Sequence, residues 1–186
     1  MAELEPHFAE LSAEARRVLP RNPVHVMLDN LRSAYNVGSM FRTADACGVA
    51  HIHLCGMTAH PPHPKLEKTA LGAFDYVPWT YHERNRDCVD IIKAQGITLV
   101  GIETAEGAVP HHRFEWPKPV VVVFGNEVNG INERVLDRCD AVVRIPMQGH
   151  KNSLNVATAF GVILYAILGQ WQALDVHGAE TGQIRG

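Results

Sequence analysis

The polar residues of one long apolar stretch, Val120 to Leu168, gather at its breaks. Gly125-Asn126-Glu127 follows one apolar run, Ile145-Pro146-Met147 ends a second, and Ser153-Leu154-Asn155 opens a third. Each type has a chemical use. A glycine such as Gly125 lets a ligand come close to the main chain. Glu127 places a carboxylate two residues after a buried run. Asn155 places an amide in the first turn of an apolar helix, where it needs a partner. In open α/β sheets ligands bind beyond the carboxyl ends of the strands. Four predicted strand ends carry polar or glycine residues: Asp29-Asn30, Glu103-Thr104, Gly125-Asn126-Glu127 and Ile145-Pro146-Met147. The plain alternatives are a surface or ion-paired Glu127, a capping Ser153 and, on an earlier helix, a solvated Arg42.

Several chemistries find little support. No GxGxxG turn follows the first predicted strand, and no GxxxxGK[ST] loop occurs, so neither a dinucleotide fingerprint nor a P-loop is present. No Gly-x-Ser-x-Gly elbow supports a hydrolase triad around Ser153. The cysteines Cys47, Cys55, Cys88 and Cys139 lie far apart, which argues against a disulfide framework and suits a reducing, cytoplasmic setting. Eleven histidines raise the question of a metal. Neither carboxylate nor cysteine accompanies them at ligand spacing, so no metal centre is expected.

The elements that must position these residues alternate. Leu4, Phe8, Leu11, Ala15 and Val18 predict a helix within residues 1–22. Strands are predicted at Val24–Leu28, His51–Cys55, Tyr76–Trp79, Ile97–Ile102, Val120–Phe124 and Ala141–Ile145. Helices are predicted at Asn36–Cys47, Glu83–Gln95, Asn132–Arg138 and Ser153–Gln170. Asn36 stands where an N-cap belongs and Gly48 where a C′ glycine belongs. Gly56 to Ala73 reads as a long Pro- and His-rich binding loop with one helical turn near Leu66 to Leu71. Val120–Phe124 is apolar on both faces, as a central parallel strand should be. The alternation implies an α/β fold with a mostly parallel sheet flanked by helices. The apolar run Leu154 to Leu168 is shorter than the ~20 residues of a membrane span. Met1-Ala-Glu-Leu-Glu is no signal peptide. A net charge of −3 requires any nucleic-acid surface to be a local patch, for which Arg16, Arg17, Arg21, Arg32 and Arg42 are candidates.

Three motifs in order resemble the SpoU family of RNA ribose methyltransferases, within the SPOUT superfamily. They are Asn30-Leu-Arg-Ser-Ala-Tyr-Asn36-Val-Gly38-Ser-Met-Phe-Arg42 through Gly48, Val123-Phe-Gly125-Asn-Glu127-Val-Asn-Gly130-Ile running on to Ile145-Pro146-Met147, and Ser153-Leu-Asn155-Val-Ala. Lys68-Thr69-Ala-Leu-Gly72-Ala resembles a further family segment. The likeness covers roughly residues 24–168. It implies a methyltransferase domain over residues 23–170, after a helical extension at 1–22 and before a tail at 171–186. It also implies a deep trefoil knot in the C-terminal part, although knots are rare in general. S-adenosylmethionine would bind at Thr104, Gly125, Ile145, Met147 and Leu154. Arg42, Asn36, Glu127, Ser153 and Asn155 would serve methyl transfer to a ribose 2′-hydroxyl. A free guanidinium hardly gives up its proton, so a phosphate clamp and oxyanion partner suits Arg42 better than a base. The implied partners are RNA (tRNA before rRNA) and a second copy in a homodimer. With few residues before the first strand, the grip on RNA is expected to come from the catalytic domain and short terminal extensions, and to be salt-sensitive. The alternatives are a non-catalytic RNA-binding protein on the same scaffold and a nucleotide- or NAD-binding enzyme.

Overall fold

The computed structural model describes residues 20–174. Seven strands form one sheet: β1 (Asn22–Asp29), β2 (Val49–Cys55), β3 (Trp79–His82), β4 (Thr98–Ile102), β5 (Val109–Pro110), β6 (Val120–Gly125) and β7 (Ala141–Arg144). Their order is β3-β2-β1-β6-β4-β7-β5, and every pairing is parallel. The helices are α1 (Ala34–Ala46), α2 (Pro64–Ala70), α3 (Asn85–Ala94), α4 (Glu133–Leu136) and α5 (Val156–Gln170). Among the described residues no helix is long and apolar enough to cross a membrane. The expected N-terminal helix, Arg16, Arg17 and the tail from Asp175 lie outside the described residues.

Strand alternation divides the core in two. Val24, Val26 and Leu28 of β1, with Val120, Val122 and Phe124 of β6, face α1, α2 and α5. Met27, Val121 and Val123 face α3 and α4. Successive side chains point to opposite faces, so a strand buried on both sides must be apolar at every position. β6 satisfies this and sits at mid-sheet between β1 and β4.

Local chemistry moved several boundaries. Ser33, not Asn36, caps α1, its hydroxyl accepting from the Asn36 N–H at 3.3 Å. Asn36 is thereby freed for other partners. At α5 the cap is Asn155, whose side-chain oxygen accepts from Ala157 N (2.9 Å) and Thr158 N (3.4 Å), while Ser153 stays in the preceding loop. A 3₁₀ turn at Ala73–Asp75 takes up the chain before β3, which shifts that strand to Trp79–His82. The predicted binding loop holds α2, with Leu66 and Ala70 buried. Gly38 of α1 lies against it: a Cβ there would come 2.8 Å from the Leu66 carbonyl oxygen and still closer to the Thr69 hydroxyl. Two of the motif segments therefore contain the two halves of one helix crossing. Arg21 leaves the candidate basic patch, because its guanidinium is spent on the Val49 (3.1 Å) and Tyr76 carbonyls.

Candidate active site

A cavity of about 420 Å³ opens at the carboxyl ends of β4, β6 and β7. Thr104, Gly125, Ile145, Met147 and Leu154 all line it, together with Glu127, Ser153 and Asn155. Ile102 and Phe124 add apolar surface beneath. Its size falls within the range of small-molecule sites, about 300–1,000 Å³. A second groove of about 550 Å³ adjoins it, lined by Arg32, Tyr35, Asn36, His63 and Lys65 among others. Glu127 and Asn155 belong to both linings.

The wall between them is a chain of hydrogen bonds. The Asn36 amide donates to Glu127 Oε1 at 2.9 Å, and its oxygen accepts from Asn155 Nδ2 at 3.2 Å. Glu127 also accepts from Arg32 N (2.8 Å) and Ser33 N (3.0 Å), the main-chain groups that lead into α1. Desolvation pushes the Glu127 pKa up, but the Asn36 amide and the N–H groups of Arg32, Glu127 itself and Ser33 outweigh it and leave the pKa below the usual carboxylate range. Glu127 is thus an ionised carboxylate that ties the turn after β6 to the segment leading into α1, and Asn36 extends the link to Asn155.

The turn after β6 explains Gly125 differently from the sequence reading. Asn126 and Gly130 exchange main-chain bonds at 2.9 Å, closing residues 126–130 back over the strand end. A Cβ on Gly125 would stand 2.2 Å from Ile131 N and 2.3 Å from the Gly130 carbonyl carbon. The chain's own turn, before any ligand, requires glycine here. Asn126 ties this turn to the first motif by donating to the Asn30 carbonyl at 2.8 Å. Glu103 holds the turn from β4, accepting from Ile131 N at 3.0 Å and Thr104 N at 2.8 Å.

Position bears on two of the sequence readings. The Asp29-Asn30 strand end does not line the cavity. Asp29 is fully buried, and its carboxylate accepts from Asn132 N (2.6 Å), Asn30 (2.9 Å) and Asn85. Desolvation raises its pKa against those bonds. Arg42 is exposed on α1 and lines neither cavity nor groove. The sequence reading missed Asn126 and Glu103 as holders of the turn, and Tyr35, His63 and Lys65 as groove residues. Glu103 had a signal in its strand-end place. His63 and Lys65 had none beyond lying in a long loop.

Fold and site together define an open parallel α/β protein with a ligand cavity at the strand ends and a polar groove beside it. The chain belongs to the SpoU rRNA Methylase family, whose model matches residues 23–165. A Staphylococcus haemolyticus protein assigned to the TrmH family of tRNA/rRNA methyltransferases is 32% identical over 142 residues, 76% of this chain and 57% of that protein. The chain thus spans less than two-thirds of the length of the curated relatives it matches, at 57%. The crystal structure of the SpoU methyltransferase AviRb from Streptomyces viridochromogenes, in complex with AdoMet, aligns with a TM-score of 0.76 at 29% identity, covering 84% of this chain and 64% of that one. A structure concerned with 2-OH methylation of C/U34 on tRNA aligns at 0.73 and 27% identity, covering 80% of this chain and 96% of that one.

Proposed function

We propose that the protein transfers a methyl group from S-adenosylmethionine to a ribose 2′-hydroxyl of structured RNA, with tRNA as the favoured substrate. The observation that carries this reading is the shared wall: one cavity and one groove meet at Glu127 and Asn155, bridged by Asn36. Donor and acceptor sites must meet in this way for direct group transfer.

The cavity fits the donor by its lining. Ile102, Phe124, Ile145, Met147 and Leu154 offer apolar surface to an adenine ring, and main-chain groups near Thr104 and Gly125 offer hydrogen bonds. Bound there, S-adenosylmethionine supplies an activated methyl group. The groove takes the acceptor nucleotide. Arg32 and Lys65 supply positive charge, Tyr35 a ring to stack on, and His63 carries a buried Nδ1 with no hydrogen-bond partner among the described residues. An orphaned buried acceptor or donor is costly unless something pairs with it, and a nucleotide does so. Glu127, Asn36 and Asn155 orient the acceptor, with Ser153 at the cavity rim. Arg42 clamps a phosphate and stabilises the developing oxyanion.

Arg42 reaches the site through a homodimer. Val162 and Tyr165 form an exposed stripe on α5, 36% and 49% exposed, beside α1. Thr43 is the α1 side chain facing Gly161, so a second copy seated on the stripe lies next to Arg42. The reading includes the trefoil knot in the Val120–Leu168 stretch. The test is to incubate the protein with labelled S-adenosylmethionine and total RNA from a strain lacking it, then map 2′-O-methyl sites. One or a few tRNA positions should gain label. Absence of both cofactor binding and RNA labelling would overturn the reading.

A further inference from the structure

On the face of the sheet away from α1 and α5, histidines form a row. His25 of β1 pairs in register with His51 of β2, and His53 lies beside Met27 of the second core. His82 closes the edge strand, beside Cys55. The rings touch in sequence: His51 and His53 are 4.7 Å apart between centroids, and His53 and His82 are 5.2 Å apart. Within this row His53 Nδ1 and His82 Nε2 are 3.0 Å apart. Cys88, in the first turn of α3, brings its sulfur to the same place, so that one donor atom from each of the three residues lies within 4.8 Å of the others. Cys88 is fully buried, His53 nearly so, and His82 is half-buried and gives access from solvent. Cys55 hydrogen-bonds Cys88 and is also fully buried.

We propose that His53, His82 and Cys88 bind one zinc ion, with Cys55 as the candidate for the fourth position. Two imidazoles and a thiolate form a donor set of borderline-to-soft character, which suits zinc and disfavours magnesium or calcium. With Zn–N about 2.0–2.1 Å and Zn–S about 2.3 Å, a tetrahedral ion sets its donors roughly 3.3–3.7 Å apart. The two imidazole nitrogens, 3.0 Å apart, would give up their mutual hydrogen bond and part slightly, and the Cys88 sulfur, within 4.8 Å of its neighbours, would close in. None of the four residues lines the cavity or the groove, so the ion is structural rather than catalytic. It ties the four-residue strand β3, which among the described residues has a strand neighbour on one side only, to β2 and to α3.

The test uses untagged full-length protein stripped with a chelator and titrated with zinc, and in parallel with cobalt(II), against a chromophoric competitor. The expected result is one zinc per chain, a rise in melting temperature on loading, and a thiolate-to-cobalt charge-transfer band. Cys88→Ser should weaken the band, and Cys88→Ser combined with Cys55→Ser should abolish it. His82→Gln, at the half-exposed edge, should leave the fold intact by circular dichroism yet weaken zinc binding at least tenfold. Should Cys88→Ser not fold, His82→Gln decides alone. Failure to retain zinc, a cobalt spectrum with no thiolate band, or an affinity unchanged by His82→Gln would each overturn the site.

Discussion

On the side of the sheet covered by α1 and α5, polar side chains stand at the carboxyl ends of strands and bond to main-chain groups of turns. On the side covered by α3, imidazoles stand in a row across neighbouring strands, and two of them bond each other. Glu127 shows the first arrangement, a carboxylate held by Arg32 N, Ser33 N and the Asn36 amide. His53 shows the second, with Nδ1 on His82 and rings packed on either side. The first keeps a carboxylate ionised beside a ligand cavity; the second keeps imidazoles neutral. The difference teaches that burial alone does not mark a site. What marks it is whether fixed main-chain dipoles or other titratable groups satisfy the polar atom.

The turn over β6 is where the first arrangement breaks most easily. A methyl group at position 125 meets main-chain atoms of Gly130 and Ile131, which cannot swing aside as a side chain can. Gly125→Ala should destabilise the fold by more than about 4 kcal/mol, in the exceptional range for a single substitution. Denaturant unfolding checks this. A loss below about 1 kcal/mol would mean that the turn shifts freely and that ligand approach is what glycine serves here.

Arg42 tests whether the ionised side is also the reactive side. Arg42→Ala should cut methyl transfer by a hundredfold to a thousandfold, about 2.7–4 kcal/mol, the range for removing one oxyanion donor. Calorimetry should find S-adenosylmethionine affinity unchanged, because Arg42 lines no part of the cavity. Loss of that affinity would remove the clamp role.

The neutral side predicts a pH effect. Burial, then the neighbouring His25 and His82, pushes His51 down to about 4. Burial, then His51, His82 and His25, pushes His53 down to about 3. The unfolded chain takes up these protons near pH 6.5, whereas the folded chain resists until pH 4 or 3. Stability of the chelator-treated protein should therefore be full above pH 6.5 and fall as pH drops to about 4, by a few kcal/mol. His53→Gln should flatten that slope in a series of denaturant melts. Glu127 acts lower, its contribution being present above its ordinary pKa and lost as pH falls through the depressed one.

Much of the first side was legible in the chain. Strand period, the apolar run of β6 and the stripe Val37, Met40, Phe41, Ala44 predict the layers, because burial on one or two faces leaves a periodic trace. All five residues expected to hold the donor line one cavity, because strand ends in a parallel sheet converge. The second side was not legible. His53, His82 and Cys88 come from three elements, and no spacing rule links residues that only sheet order brings together. Caps were misplaced for a smaller reason: Ser33 and Asn36, or Ser153 and Asn155, are both good cap types two or three residues apart, and the choice depends on tertiary partners.

That choice gives the smallest effect. Asn155 does two things at once, accepting from Ala157 N and Thr158 N and donating to Asn36 Oδ1. Asn155→Ala removes both and should cost about 1 kcal/mol in stability, the usual worth of an N-cap. Asn155→Asp keeps the accepting oxygen and places a carboxylate at a helix N-terminus, so stability should be held. It also turns a donor toward Asn36 into an acceptor, which breaks the link to Glu127. If the Asp variant melts like the wild type but transfers methyl groups several-fold more slowly, capping and orientation are separate duties of one side chain. Ser153→Ala, at the loop position without the cap, should leave stability within about 0.5 kcal/mol. A larger loss there would return the cap to Ser153 and leave Asn155 with the orienting duty alone.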